Sequence, residues 1–276
     1  MSGTLYLVAT PIGNLEDITL RAIKVLNNAD LVLAEDTRNS KKLFEQHSIK
    51  APLSAYHDFS SERKTQSIIK LLKNGKIIAL VSDAGTPLIS DPGFELVRKA
   101  IKENIKIYSI PGPSSVISGL ITSGFNNNRF IFEGFLPRKS SDLKKIVTSF
   151  KYESRTIILF ESPKRIQKSL KIMLDILGEI RQVSIARELT KIHETILRMS
   201  LKEANLVAKT DPNLSKGEIV IILEGVDKKF SDFDIKLDEL FKYLREDISL
   251  KNFSKAFSKV SSYSAKEIYN RYKEKV

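Results

Sequence analysis

Two aspartates stand in a glycine- and proline-rich run whose residue types suit the binding of a polar ligand. The run, Ser82–Gly93, reads Ser-Asp-Ala-Gly-Thr-Pro-Leu-Ile-Ser-Asp-Pro-Gly and follows a short apolar segment that is typical of a buried strand. Glycine allows a backbone to approach a ligand closely, and proline fixes the shape of a turn. The carboxylates of Asp83 and Asp91 accept hydrogen bonds, so they can hold hydroxyl or amino groups. A ligand loop and a tight structural turn both fit this run taken alone.

Three further polar turns follow predicted strands in the same half of the chain. They are Thr10–Asp17, Glu35–Arg38 and Pro111–Ser115. Because parallel strands end at one edge of a sheet, all four turns are expected to meet in one crevice. Ser114 and Ser115 stand at the start of a predicted helix, where hydroxyls and free backbone N–H groups can hold a carboxylate. The spacing therefore favours a ligand site built from four loops.

Several common catalytic signatures do not occur in the sequence. It contains no G-x-G-x-x-G after the first strand, no G-x-x-x-x-G-K-[ST] and no H-E-x-x-H, so the usual dinucleotide, P-loop and zinc-protease patterns do not apply. His47, His57 and His193 are not spaced as a metal-binding pair, and the chain has no cysteine. We therefore expect no metal site, no thiol nucleophile and no serine–histidine hydrolase, and we interpret the histidines as structural.

The elements that must position these loops alternate between short apolar runs and amphipathic stretches. In the first half of the chain, the predicted strands are 5–9, 31–34, 77–81 and 105–110, and the predicted helices are 19–28, 38–47, 62–73 and 94–102. This alternation predicts a largely parallel, helix-covered sheet.

A second series of strands and helices follows residue 114. The predicted strands are 130–135, 156–160, 183–186, 195–199 and 218–223, and the predicted helices are 141–150, 165–177 and 201–208. The interval 185–199 leaves no room for a crossover helix, so part of this sheet should be antiparallel. We therefore predict an α/β protein with an N-terminal α/β domain over 1–113, a second α/β domain with a mixed sheet over 114–228, and a small helical segment over 229–276.

The charge of the chain favours an anionic partner. Lysine and arginine number 45 against 33 aspartates and glutamates, so the formal net charge over 276 residues is +12. Nucleic acid and an anionic membrane surface both suit such an excess, and a merely basic soluble protein would show it too. No segment approaches the roughly 18 apolar residues of a membrane span, and the lack of cysteine gives no sign of an oxidising compartment. We expect a cytoplasmic protein, for which nucleic acid is the better partner.

The segment after Gly225 is charged, and its pattern predicts helices. Two short helices over 253–260 and 265–272, joined by a polar turn, fit a helix-turn-helix outline in which Ser264 caps the second helix. Basic side chains in the second helix suit contacts with phosphates. A plain helical tail and a dimerisation element fit the same residues.

At the loop residues the chain resembles the tetrapyrrole methylase superfamily and, within it, the ribosomal RNA small subunit methyltransferase I family. The motifs that carry the resemblance occur in order between residues 4 and 226. They are Ala9–Leu15, Glu35–Arg38, Ser82–Gly93, Ile110–Ser115, Phe132–Pro137, Phe160–Arg165, Ala186–Lys191 and Lys216–Glu218. Two parts depart from the family pattern: the polar run after His57, and the C-terminal helices, where Phe253 and Phe257 stand in place of an alanine-rich sequence.

The resemblance implies an S-adenosylmethionine-dependent methyltransferase that binds its cofactor in a cleft between two α/β domains and acts as a homodimer. It implies that the substrate is the ribose 2′-oxygen of a cytidine in the decoding region of small-subunit (16S) ribosomal RNA, within the ribosomal subunit or as naked RNA. No metal is implied. The cofactor-binding residues that it implies are Pro11, Asp83, Gly85, Thr86, Pro87, Ile89, Ser114, Ser115, Phe160 and Ala186.

The chemistry of such a transfer depends mainly on positioning. A sulfonium methyl is already activated by its charge, so the protein must hold an oxygen in line at about 3–3.5 Å and exclude water. A nearby base or cation would help the hydroxyl to lose its proton. We predict that the catalytic residues around the target ribose are Asp36, Arg38, Glu161 and Lys191. Salt bridges or helix caps that shape the fold are the alternative for the same residues, and there need be no dedicated base.

Basic and aromatic side chains near the motifs suit an RNA substrate. Phosphate contacts are predicted from Arg138, Lys139, Lys144, Lys145, Lys164, Arg165, Lys168 and the basic tail. Tyr56, Phe59 and Phe135 are the candidates for stacking on a splayed base, although an aromatic residue in an α/β protein more often belongs to the core.

Two other classes of function fit parts of the sequence. A tetrapyrrole or precorrin C-methyltransferase would share the fold and tolerate the basic charge, but Glu35–Arg38 and Phe160–Arg165 point away from it. A non-catalytic ribosome-binding factor would keep the fold and the charge but would catalyse no reaction. The intact loops at Asp83 and Ser114 argue against loss of the cofactor.

Overall fold

Two five-stranded sheets form the body of the protein in the computed structural model, which describes residues 3–57, 60–226, 237–261 and 263–273. The strands of the first sheet are β1 (Thr4–Val8), β2 (Leu31–Ala34), β3 (Leu53–Ala55), β4 (Ile77–Val81) and β5 (Lys106–Ile110). They lie in the order β3-β2-β4-β1-β5, and every pairing is parallel. The helices that connect them are α1 (Leu20–Asn27), α2 (Thr37–Gln46), α3 (Glu62–Lys73) and α4 (Phe94–Lys102).

The first sheet is covered on both faces, because its strands are apolar on both sides. Along β4, Ile78 and Leu80 belong to one buried cluster, whereas Ala79 and Val81 belong to the other. Side chains alternate between the faces of a strand, so a sheet buried on both sides needs such uninterrupted apolar runs. The predicted helix-covered parallel sheet is confirmed. The short edge strand β3 was not predicted.

The second sheet is mixed. Its strands are β6 (Phe130–Phe135), β7 (Thr156–Glu161), β8 (Gln182–Arg187), β9 (Thr195–Ser200) and β10 (Ile219–Leu223), in the order β6-β7-β10-β8-β9. The β6–β7 pair is parallel, and the other pairs are antiparallel. The close spacing of β8 and β9 correctly indicated an antiparallel pair.

Helices cover both faces of the second sheet. On one face lie α6 (Ser140–Ser149), α7 (Ile166–Leu177) and α8 (Leu201–Thr210), and on the other lies α5 (Ser115–Ser123). Gly119 lets α5 approach the sheet closely, since a Cβ there would lie 3.2 Å from Cγ1 of Val220. The helix that begins after the last strand of the first sheet therefore packs against the second sheet. The boundary at 113/114 stays a prediction, and the one near 229 lies outside the described residues.

A separate aromatic cluster holds the C-terminal helices together. These helices are residues 237–244 (α9), α10 (Leu250–Phe257) and α11 (Ala265–Tyr272). The rings of Phe241 and Tyr272 stack with centroids 4.2 Å apart, and Phe253 packs edge-on against both. Of the two phenylalanines that depart from the family pattern, Phe253 thus lies in the core of this small unit and Phe257 packs against it. Ser264 caps α11 as predicted.

Asp238 connects the C-terminal helices to the second sheet's domain. Its carboxylate accepts hydrogen bonds from Lys151 Nζ at 3.0 Å and from the hydroxyls of Tyr152 and Tyr272, and it pairs with Arg271 at 3.3 Å. The side chain is 20% exposed, so this tie is partly shielded from water. The role of the C-terminal helices in RNA binding stays a prediction.

In the part of the chain that the structure describes, no helix combines the length and the apolar character that a membrane crossing requires.

Candidate active site

The loops after β1 and β4 are joined by a small antiparallel bridge. The backbone N–H of Thr10 donates to the carbonyl of Gly85 at 2.9 Å, and that of Gly85 donates to Thr10 at 3.0 Å. The hydroxyl of Thr10 also donates to the carbonyl of Ser82 at 3.2 Å. Gly85 has a φ of +80°, a left-handed conformation that glycine adopts without steric strain. These bonds fix the polar loop at the carboxyl end of two adjacent strands.

The loop after β5 closes on the same edge. The hydroxyl of Thr86 donates to the carbonyl of Pro113 at 3.2 Å. A Cβ at Gly112 would lie only 3.0 Å from the Cβ of Ala9, so glycine permits the close approach of these two loops. Ser114 then caps α5, with its hydroxyl oxygen accepting the N–H of Ile117. The helix N-terminus that the sequence predicted thus lies beside the Ser82–Gly93 loop.

Asp83 ties the loop after β2 to this group. Its Oδ1 accepts the backbone N–H of Asp36 at 2.9 Å, and its Oδ2 accepts the amide of Asn39 at 3.0 Å. Carboxylate oxygens have more than one acceptor direction, so these bonds leave room for a ligand donor. All four turns that the sequence singled out therefore meet at one edge of the first sheet, as expected for parallel strands.

A cavity of about 420 Å³ opens between this edge and the second sheet. Its volume is in the range of small-molecule sites. The predicted cofactor residues that line it are Asp83, Gly85, Thr86, Ile89, Ser114, Ser115, Phe160 and Ala186. Pro11 and Pro87 are buried and do not line it; their fixed φ shapes the two loops instead. All these cofactor contacts stay predictions.

An apolar wall of the cavity was missed by the sequence reasoning. Ile12, Val116, Leu189 and Val220 line the cavity and pack into one buried cluster. Most stand inside or next to the motifs, but an apolar residue in a motif looks like any core residue. Glu218 also lines the cavity, and its motif was the one available signal. The cavity thus has polar loops on one side and apolar side chains on the other.

Asp36 and Arg38 form a clasp next to the cavity rather than inside it. The Asp36 carboxylate caps α2 by accepting the N–H of Arg38 at 2.9 Å, and it pairs with the guanidinium at 2.6 Å. The guanidinium, followed by that N–H, lowers the pKa of Asp36 to about 2. Such a carboxylate is a weak proton acceptor at neutral pH. The Arg38 side chain is 86% exposed, so the geometry favours Asp36 as the residue that orients Arg38.

Glu161 lines the cavity, but its carboxylate is committed to the fold. The side chain is fully buried. It accepts the N–H of Ser162 at 2.6 Å, the guanidinium of Arg165 at 2.7 Å and the hydroxyl of Ser169. Arg165 in turn donates to the carbonyl of Leu136 at 2.6 Å. The arrangement makes Glu161 a positioning residue that joins β6, β7 and α7, and its predicted catalytic role stays a prediction.

Lys191 lies between two carboxylates. Its Nζ donates to Glu188 at 2.8 Å and to Glu218 at 3.1 Å. Burial acts to lower the pKa of Lys191, but the hydrogen bonds to these two carboxylates outweigh burial and raise it. Lys191 therefore stays an ammonium, which can stabilise negative charge but cannot accept a proton. It does not line the cavity, although its partner Glu218 does.

The two halves of the cavity meet where the first loop contacts the β8–β9 loop. The backbone N–H of Asn14 donates to the hydroxyl of Thr190 at 3.1 Å. Gly13 packs against Lys191 so closely that a Cβ would overlap its Cγ. Thr190 has a φ of +67°, which is a strained conformation for a β-branched residue. Strain at such a position is typical of functional loops.

We expect Asp36→Asn to separate the orienting role from a proton-accepting role. Asparagine can still cap α2, but it cannot pair with the guanidinium, so Arg38 should lose its fixed orientation. Because a lowered pKa of about 2 keeps Asp36 ionised above pH 4, its titration should not shape a rate profile between pH 5 and pH 9.

The variant should therefore show about 10-fold slower turnover, as expected for lost orientation of a substrate contact. Its rate profile should have the wild-type shape, and its melting temperature should be only slightly below that of the wild type above pH 4, because an ion pair with an exposed arginine adds little stability. That small difference should disappear as the pH falls towards 2, where the wild-type carboxylate is itself protonated. Loss of one limb of the neutral pH profile in the variant would instead identify Asp36 as the base.

Comparison with known proteins places this geometry among methyltransferases. The family model of Tetrapyrrole (Corrin/Porphyrin) Methylases matches residues 4–205. A protein of Haemophilus influenzae named ribosomal RNA small subunit methyltransferase I is 41% identical over 98% of this chain and 96% of its own length. One of the same name from Thermotoga maritima is 45% identical over 81% of this chain and 99% of its own.

Solved structures with the same fold are more distant in sequence. The cobalamin biosynthetic enzyme cobalt precorrin-4 methyltransferase superposes with a TM-score of 0.59 at 20% identity, over 80% of this chain and 94% of its own. Uroporphyrin-III-C-methyltransferase of Thermus thermophilus superposes with a TM-score of 0.56 at 17% identity, over the same shares. At such identities the likeness concerns the fold alone. The predicted fold class is confirmed.

Proposed function

The chain belongs to the tetrapyrrole methylase family and, within it, to the ribosomal RNA small subunit methyltransferase I family, and from this membership we propose that it methylates the ribose 2′-oxygen of a decoding-region cytidine in 16S ribosomal RNA. It is an S-adenosylmethionine-dependent methyltransferase. The observation that carries the proposal is the two-sided cavity of about 420 Å³, built by the same motifs that carry the family resemblance. A ribosomal substrate would place the protein in the cytoplasm.

The residues of the cavity fit S-adenosylmethionine. The N-terminus of α5 at Ser114 and Ser115 offers hydroxyls and free backbone N–H groups, which suit the methionine carboxylate. Asp83 offers acceptor oxygens on the same side, which suit an amino or ribose hydroxyl group. The apolar side chains of Leu189 and Val220 suit the adenine. When bound, the cofactor supplies an activated methyl group at its sulfonium.

The chain's own part in the reaction is then to position the ribose oxygen at the methyl donor and to enclose the site. The contact of Asn14 with Thr190 keeps the first loop against the second domain at the side of the cavity. Asp36 and Glu161 are both bound to arginines, so we assign no dedicated base. Arg38 and Lys191 do not line the cavity, so they stabilise the negative charge on the ribose oxygen only if the target ribose binds at the rim beside them. Positioning therefore does most of the work.

Exposed cations and an exposed apolar face support the proposed partners. Arg138, Lys139, Lys164 and Lys168 are exposed near the cavity-lining motifs of the second domain, where they can contact RNA phosphates. Ile117 and Ile121, one turn apart on α5, are 46% and 64% exposed, which suits burial against a second copy of the chain. We therefore propose a homodimer that acts on the ribosomal subunit. Sedimentation as a monomer at micromolar concentration would contradict the dimer.

A C-methyltransferase of tetrapyrroles is the second candidate, because the solved structures that share the fold include enzymes of that class. Those structures are at most 20% identical to the chain, whereas the relatives named for ribosomal RNA reach 41% and 45%. A non-catalytic ribosome-binding factor would have no use for the polar loops of the cavity. Both alternatives predict no methyl transfer to ribosomal RNA.

The test is methyl transfer from labelled S-adenosylmethionine to small ribosomal subunits that lack the modification. We expect incorporation into RNA, with mapping of the label to the 2′-oxygen of one decoding-region cytidine. Naked 16S RNA, assayed in parallel, would show whether the assembled subunit is needed. If the cofactor binds and no subunit is labelled, the proposed substrate is wrong, and tetrapyrroles would be the next substrates to assay.

A further inference from the structure

Strand β6 contains a bulge where it reaches the cavity. Phe132 pairs with Ile158 and Phe135 pairs with Phe160, so three steps along β6 match two steps along β7. Gly134 in the bulge has a φ of +69°, and a Cβ there would lie 3.3 Å from Oγ of Ser90 in the loop of the first domain. Bulges re-aim the side chains that follow them. This bulge turns Phe135 to the side of the strand that faces the cavity.

The Phe135 ring is held in place and remains largely open to solvent. It is 63% exposed and lines the cavity. Its centroid lies 5.3 Å from that of Phe160 with the planes at 61°, and Phe160 is itself packed against Phe132 at 4.9 Å. Phe160 therefore supports one side of the ring, and the exposed remainder is available to a ligand.

The backbone directly after Phe135 is also fixed. The N–H of Leu136 donates to the carbonyl of Phe160 at 3.1 Å, and the carbonyl of Leu136 accepts Arg165 at 2.6 Å. Glu161 holds that arginine, as described above. An exposed aromatic ring on such a rigid support loses little conformational entropy when a ligand covers it. It is the arrangement expected of a binding platform rather than of a core residue.

The chemistry around the ring points to a nucleotide. Arg138 and Lys139 follow Phe135 closely in the chain, and Lys164 stands on the β7–α7 loop whose Ser162 and Pro163 line the cavity; all three cations are exposed. Flat aromatic faces next to cations are how proteins bind single-stranded nucleic acid, with stacking on the bases and charge on the phosphates. A ribose oxygen enters a concave site most readily when its nucleotide is splayed out of the stack, as in the single-stranded segments that RNA-binding proteins recognise.

We propose that the exposed face of Phe135 stacks on the base of the target nucleotide and so positions its ribose at the methyl donor. The inference rests on the proposed RNA substrate and adds the residue that holds the base. Stacking does not distinguish one base from another, so Phe135 positions the nucleotide without selecting it. Other contacts must recognise the RNA sequence. Of the other aromatic candidates, Tyr56 is buried with its hydroxyl bonded to Thr65, and Phe59 lies outside the described residues.

The test compares Phe135→Ala and Phe135→Leu with Phe135→Trp in methyl transfer to unmodified small subunits. Leucine keeps the apolar volume but has no flat face, whereas tryptophan keeps the face. Loss of one base–ring stack should lower kcat/KM by about 10- to 100-fold for alanine and leucine, mainly through KM, with tryptophan within about 3-fold of wild type. Phe94→Ala is the matched control, because Phe94 is 62% exposed and does not line the cavity.

Affinity for S-adenosylmethionine, measured by calorimetry, and melting temperature should be the same in all the Phe135 variants. A loss of cofactor affinity in Phe135→Ala that matches the loss of activity would overturn the proposal, because the ring would then serve the adenine of the cofactor. Wild-type activity in Phe135→Ala and Phe135→Leu would overturn it as well. Failure of the wild-type protein to methylate subunits is a different result, and it would defeat the proposed function itself.

Discussion

Glu161→Ala is expected to lower the free energy of unfolding by about 3–5 kcal/mol, because it leaves the guanidinium of Arg165 without its buried counter-ion. The Glu161 side chain is fully buried, and Arg165 is 26% exposed. The same carboxylate accepts the Ser162 N–H and the Ser169 hydroxyl, so both donors would lose a partner as well. Equilibrium unfolding in urea, followed by circular dichroism, measures the effect.

Two further variants make the result specific to Glu161. Glu161→Gln keeps the volume and an acceptor oxygen, so it should lose less stability than Glu161→Ala. Glu179→Ala removes an exposed ion pair with Lys202, whose atoms are 2.7 Å apart, and should leave stability unchanged within error. If Glu161→Ala unfolds like the wild-type protein but loses turnover, the carboxylate is catalytic and its positioning role is wrong.

Gly85→Val should abolish binding of S-adenosylmethionine, with at least a 100-fold loss of affinity. Valine is strongly disfavoured at the φ of +80° that Gly85 adopts, and its Cβ would lie 3.3 Å from Cγ2 of Ile12 in the cavity wall. Relief of this strain would move the loop and break its bridge to Thr10. Calorimetry of cofactor binding is the direct measurement.

Gly124→Val separates backbone strain from damage to the cavity. Gly124 has almost the same φ, +79°, at the end of α5, and nothing lies within 4 Å of where its Cβ would be. This variant should lose some stability and still bind the cofactor. Wild-type affinity in Gly85→Val, or an equal loss of affinity in both variants, would contradict the assignment of the Ser82–Gly93 loop to the cofactor.

The main elements could be predicted because their signals are local. The apolar run 77–81 is buried on both faces, so it can only be an interior strand, and α4 begins directly after the Ser82–Gly93 loop that follows it. The edge strand β3 was missed because Leu53–Ala55 is only three residues long and half-buried, which leaves no periodic pattern to detect. The loops of the cavity were predicted as a group because parallel strands end at one edge.

The partners of the charged residues could not be predicted in the same way. Asp36 was open to an interpretation as a helix cap or a salt bridge, and only the geometry shows that it is both. The contact of Gly13 with Lys191 joins loops that are far apart in the chain and follow strands of different sheets, and neither motif indicates the other. Such long-range contacts follow from the packing of the domains, which the sequence pattern does not encode locally.

The order of strands in the first sheet has a consequence for how the protein is made. Strand β1 lies between β4 and β5, so the first strand to leave the ribosome is the last to gain both neighbours. Until Ile110 has emerged, the strand that leads to Thr10 lacks its β5 neighbour. The bridge of Thr10 to Gly85 also joins positions that are distant in the growing chain. Contacts between distant positions form slowly, because the chain between them must first close into a loop. The entropy cost of that closure comes before any stabilisation by the contact. The nascent chain therefore brings all four loops together at this edge only when its whole first sheet has been synthesised.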